Sequence, residues 1–202
     1  MDLRPCSAGG LDRRLALGAG VAGLAAVVVV LLWLGTRPDL ATAVAGATFW
    51  YKAAYTSLLA LSGAWLLTRL GRPGRSAQGP ALLLTAVLLA AGVAAGEELL
   101  GAAPHERLRL LMGGSASVCP GYIFVLAGIG AGALFTAARP YAPTRPGLAG
   151  AAFGLMAGGI AATAYSLHCP EWSSAFVVVW YSLGIALATL VGWAFGPRLF
   201  WS

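Results

Sequence analysis

The sequence predicts an all-α, polytopic membrane protein of six transmembrane helices with both termini cytoplasmic, and three observations carry that reading. Of 202 residues, 59% are hydrophobic and only 10% are charged, which leaves too little polar side chain to cover a water-soluble fold. The apolar residues gather into six runs, each close to the roughly 20 residues that a spanning helix needs. The arginines gather between alternate runs, as they do when cytoplasmic flanks carry the excess of positive charge.

The first span is Leu15 to Gly35. Arg13 and Arg14 before it and the small residues Ala41 to Ala43 after it resemble a signal peptide, but its apolar core exceeds the usual h-region of roughly 7 to 15 residues. Inside it, Gly18 to Gly23 (GAGVAG) has the spacing of a dinucleotide-binding loop. That loop must join a strand to a helix, so small-residue helix packing is the reading that fits. The second span, Phe49 to Leu70, opens with FWYKAAY. Its aromatics suit a membrane interface, and Lys52 is the only lysine and nearly the only charge at membrane depth, expected to snorkel outward or to pair with Glu97, Glu98 or Glu171.

Pro80 to Leu100 forms the third span, and the charged connection Gly96 to Ser117 predicts a short surface helix followed by a glycine-serine hinge. His105 on it is an accessory ligand candidate. Cys119 to Ala138 is the fourth span, with Pro120 in its first turn and Cys119 at the cap. Gly147 to His168 is the fifth, ended by Pro170, which cannot continue a helix. Gly128 and Gly132 on the fourth, and Gly150, Gly154 and Gly158 on the fifth, predict packing seams. Ala175 to Phe195 completes the set. The whole chain, 1–202, then reads as one transmembrane domain with a short cytoplasmic segment, 1–14. Short connections leave little chain for a soluble domain, and nothing in them points to direct nucleic-acid binding.

Arg4, Arg13, Arg14, Arg69, Arg72, Arg75, Arg139, Arg145 and Arg198 fall on one side, against Arg37, Lys52, Arg107 and Arg109 on the other. This places Cys6 inside, and Cys119 and Cys169 at helix ends on the exterior, oxidising face. The fourth and fifth spans are joined by a short turn, so their outer ends should be neighbours. Three chemistries suit such a pair. They are a disulfide; a copper or zinc ion held by Cys119, Cys169 and His168, with Glu171 or His105 completing the shell; and, more weakly, thiolate ligation of haem. Two unreacted buried cysteines remain the plain alternative. The nearly featureless apolar spans argue against a proton-coupled transporter, which needs ionisable groups along its path.

The ordered landmarks RPDL (Arg37 to Leu40), FWYKAAY, RLGRPG (Arg69 to Gly74), APTRPGLAGAAFGLMAGG (Ala142 to Gly159), YSLHCPE (Tyr165 to Glu171) and WYSLG (Trp180 to Gly184) resemble the NrsF-type membrane anti-sigma factors. That resemblance implies a multi-pass protein of the bacterial inner membrane, not an enzyme, that holds an extracytoplasmic-function sigma factor and releases it under oxidant or metal stress. It also implies that Cys119 and Cys169 receive the signal. The family's cytoplasmic N-terminal segment is usually longer, so either this start is truncated or misassigned, or capture uses the inner loops, with Arg69, Arg72, Arg75, Arg139 and Arg145 as the candidates to face the sigma factor. A membrane thiol-disulfide oxidoreductase passing electrons to a quinone, or a metal- or haem-binding membrane protein, is the alternative. The absence of a C-x-x-C pair weighs against the oxidoreductase.

Overall fold

A computed structural model describes residues 8–72 and 74–200, so Arg4 and Cys6 lie outside the described residues. Helix α1 (Ala8–Val29) continues through a π-helical turn, Val30–Leu34, to Gly35. The one-turn α2 (Leu40–Ala43) leads to α3 (Ala47–Leu70), α4 (Gln78–Gly101) and the short α5 (Pro104–Met112). Then come α6 (Cys119–Ala138), α7 (Pro146–Tyr165), α8 (Ser174–Phe176), a second π-helical turn at Val177–Tyr181, and α9 (Ser182–Phe200). There is no strand among the described residues.

Five helical stretches are long and apolar enough to cross a membrane: Gly10–Leu34, Gln78–Gly101, Cys119–Ala138, Pro146–Tyr165 and Ser174–Phe200. The sixth predicted span forms the 24-residue α3, which has the length. Lys52, Arg69 and its hydroxyl-bearing residues make it more polar than the other five. The surface helix expected between the third and fourth spans is α5, where Glu106 and Arg109 pair at 3.5 Å. Val118, rather than Cys119, is the N-cap of α6.

Helix α7 is the axis of the bundle. It is 72% buried over its apolar window, against 17–39% for the other four, and it packs against α9, α3, α6 and α1. Its sequence explains this position, because glycine and alanine let neighbouring backbones approach on several faces at once. A Cβ at Gly150 would collide with the Gly192 carbonyl, and one at Gly154 with the Ala188 carbonyl, both on α9. Toward α3, a Cβ at Gly159 would sit 2.6 Å from the Ala60 nitrogen. The predicted seam on α7 therefore lies within the chain.

Gly128 and Gly132 behave differently: open space surrounds both. Helix α6 meets its neighbours instead through buried Ile123, Leu126 and Leu134 and through Gly130, which faces Ala22 of α1. The GAGVAG run is divided in the same way. Gly18 packs against Ala137, while Gly20 meets nothing within 4 Å.

Candidate functional site: a buried cysteine cage

At one end of the bundle α7 stops at Tyr165, and the chain turns through 166–170 with the His168 and Cys169 amides donating to the Tyr165 carbonyl at 3.0 and 3.1 Å. Pro170 then breaks the helical pattern, as its missing N–H requires. On the facing strand of the loop, the Cys119 amide donates to the Ser115 carbonyl at 2.9 Å as α6 begins. Cys119 and Cys169 are both free thiols with no exposed surface, and each shifts the proton affinity of the other. The two outer helix ends expected to be neighbours are therefore in contact.

The ring around the sulfurs is aromatic and cationic. Tyr165 packs on Tyr181 at 5.7 Å and on Tyr122 at 6.1 Å between ring centres. The buried Tyr181 hydroxyl has no oxygen or nitrogen partner and interacts with Cys169. Lys52 is completely buried; its ammonium donates to the Cys169 carbonyl at 3.1 Å and lies 6.0 Å from the Tyr181 ring centre. Arg37 donates to the same carbonyl and to that of Pro170, both at 3.3 Å. The Cys169 thiol is held below the ordinary thiol range. The hydrogen bond with Cys119 is the main cause and burial opposes it, while Lys52, Tyr181 and the Glu171 backbone favour the thiolate.

Lys52 thus neither snorkels nor meets a carboxylate: among the described residues it enters no ion pair. Its position facing α7 rather than lipid puts the ammonium where a helix C-terminal turn offers unpaired carbonyls. Two of the three partners proposed for it, Glu98 and Glu171, are engaged elsewhere. Glu98 accepts from the Ser173 and Ser174 hydroxyls and the Ala175 amide at 2.9, 2.6 and 2.8 Å, capping the start of α8. Glu171 accepts from the Gly114 amide at 2.7 Å and the Ser115 hydroxyl at 3.1 Å. That clasp joins the two turns that carry the cysteines.

A metal shell of Cys119, Cys169, His168 and Glu171 is not assembled. His168 Nδ1 bonds the Gly35 carbonyl at 2.9 Å, Glu171 is held by the 114–115 turn, and His105 is exposed on α5. No group of three His, Cys, Asp or Glu residues able to hold a metal occurs among the described residues. Two sulfurs alone do not fit the tetrahedral shell of a structural zinc.

Sequence reasoning missed Arg37, Tyr165 and Tyr181. Arg37 pairs with Asp39 through two 2.7 Å contacts, which raises its own proton affinity and lowers that of Asp39. The same arginine straps the exit of α1 to the cysteine turn, helped by its backbone amide, which donates to the Leu167 carbonyl at 3.1 Å. The available signal was the pair of quoted landmarks RPDL and YSLHCPE, which meet here. The WYSLG landmark supplies Tyr181.

The other end of the bundle collects the arginines. Arg69, Arg72, Arg75 and Arg145 line a single concavity of about 280 Å³ together with Thr144. Arg139 is exposed beside it, stacked over Phe135 at 5.8 Å. Arg72 bonds Asp12 of α1 at 2.6 Å. The Tyr141 hydroxyl reaches the same carboxylate oxygen at 3.4 Å, and burial, with Asp12 nearby, pushes the Tyr141 phenol up to about 12.

The family described as "Negative regulator of sigma F" matches residues 1–201. The chain is 47% identical over 186 residues to the anti-sigma-F factor NrsF of Caulobacter vibrioides, covering 90% of this chain and 86% of that protein. It is 37% identical over 185 residues to a probable anti-sigma-F factor NrsF of Azospira oryzae, covering 92% and 86%. No solved structure matches. The family match spans nearly the whole length, and the chain belongs to the NrsF family.

Proposed function

We propose that this chain is an anti-sigma factor of the bacterial inner membrane, that α3 serves as its sixth span, and that both termini and the arginine loops are cytoplasmic. It holds an extracytoplasmic-function sigma factor there and releases it when the Cys119–Cys169 pair is oxidised on the exterior. The observation that carries the sensing half is the contact between two buried, free thiols on the ends of two different helices. The holding half rests on the names of the relatives.

The chemistry balances with a hydroperoxide-class oxidant: two thiols give one disulfide, and the hydroperoxide leaves as an alcohol and water. A disulfide requires Cα atoms within about 4.4 to 6.8 Å, so closure fixes the 166–170 turn against the start of α6 at that spacing. That turn is also where Arg37 and His168 hold the exit of α1. The oxidised turn therefore favours a different seating of α1, α6 and α7 from the reduced one, and a signal shifts an equilibrium only through such a difference. Metal sensing has less support, because Glu171 is held by the 114–115 turn and no group of three ligand residues is brought together among the described residues.

Cells carrying Cys119→Ser or Cys169→Ser should keep the sigma-dependent promoter silent under hydroperoxide, whereas the unaltered protein releases it. Induction of the substituted strains to the same level would remove the sensing role.

A further inference from the structure

Two loops meet at the arginine end, and the Tyr141 ring fixes their relation: a Cβ at Gly71 would collide with it. The concavity between them presents four guanidinium groups. Among the described residues, Arg69, Arg75 and Arg145 form no ion pair. Arg75, Thr144 and Arg145 are exposed, so the site is open to a partner. One carboxylate is already present: Asp12, carried on a helix, takes Arg72 at 2.6 Å.

We infer that this concavity docks an acidic segment of the sigma factor and that Asp12 is the resident competitor for its arginines. The inference rests on the anti-sigma reading above. The occupant's chemistry follows from what Arg72 already binds, a carboxylate projecting from a helix, and from the three like groups beside it. Guanidinium groups suit such an acceptor because they present several donors in a fixed plane. Regulation follows from connectivity. Asp12 lies near one end of α1, and the other end is tied to the cysteine turn by the Arg37 and His168 contacts. Reseating α1 moves Asp12 relative to Arg72 and changes how many arginines the partner can claim.

The test uses the full chain in lipid nanodiscs, with binding of an extracytoplasmic-function sigma factor from the same bacterium measured at two salt concentrations. Asp12→Asn should tighten binding by about threefold to tenfold, and Arg75→Glu and Arg145→Glu should each weaken it by about tenfold or more, with a flatter salt dependence. A gain of affinity cannot arise from misfolding, so Asp12→Asn separates the inference from damage. If the unaltered protein binds no sigma factor, the anti-sigma reading falls and the inference falls with it. If the unaltered protein binds but Asp12→Asn leaves affinity unchanged or lowers it, the inference alone is overturned. It is overturned equally if Arg75→Glu and Arg145→Glu lose co-purifying phosphatidylglycerol while keeping full sigma affinity, which would make the concavity a lipid-headgroup site.

Discussion

The two ends of the bundle treat charge in opposite ways. At the cysteine end Lys52 is fully buried and Arg37 nearly so; Lys52 is held by the Cys169 carbonyl and Arg37 by two carbonyls and the Asp39 carboxylate. At the arginine end three guanidinium groups in one concavity have no ion-pair partner among the described residues. A buried hydrogen-bonded network specifies one geometry and registers any covalent change within it, because a polar group left without its partner there is costly. Exposed, unpaired charge costs little to keep and is available to a partner. The first arrangement suits a sensor, and the second suits a docking face.

Substitutions should separate these regions. The largest effect is expected between them, on the helix that joins them. Gly154→Leu drives a side chain into the Ala188 backbone, so the α7–α9 seam cannot close. A loss above about 3 kcal/mol is expected, read as absence of the protein from washed membranes. Lys52→Ala removes the buried ammonium from the Cys169 carbonyl and opens a cavity. It should cost about 2–4 kcal/mol, visible as a lowered melting temperature in detergent. Glu98→Ala removes the carboxylate that accepts from Ser173, Ser174 and Ala175, leaving only the Ser173 cap on Phe176, and should cost about 1–2 kcal/mol in the same assay. Glu171→Ala opens the clasp to Gly114 and Ser115. The expected result is faster alkylation of both cysteines in intact cells with a stability change near 1 kcal/mol. At the arginine end, Arg75→Ala should change stability by no more than about 0.5 kcal/mol. A melting shift there as large as that of Lys52→Ala would erase the distinction between the two ends.

Much of the fold was legible because spanning helices announce themselves locally. The predicted fourth span, Cys119 to Ala138, coincides with α6, and the other boundaries differ by a few residues at most sites. The exception is the start of α1, where polar residues extend the helix back to Ala8. The meeting of Cys119 with Cys169 was also readable, since consecutive spans joined by a short turn must lie side by side. What local sequence could not supply was the direction each residue faces. Lys52 looked like a snorkelling lysine because its aromatic neighbours suggested an interface, yet rotation of α3 points it at the end of α7. Gly128 and Gly150 sit in similar glycine-rich runs, and only the packed bundle tells which one meets a neighbour. Arg37 was counted for topology alone, because its partners at Cys169 and Pro170 are more than 130 residues away along the chain.

The central claim is that oxidation of one buried thiol pair releases the partner. Membranes containing the protein with its bound sigma factor are treated with hydroperoxide; free thiols are then alkylated and the peptides identified by mass spectrometry as the sigma factor is followed into the soluble fraction. The account predicts a Cys119–Cys169 disulfide peptide that rises in step with released sigma factor. Release with both cysteines still fully alkylatable would contradict it.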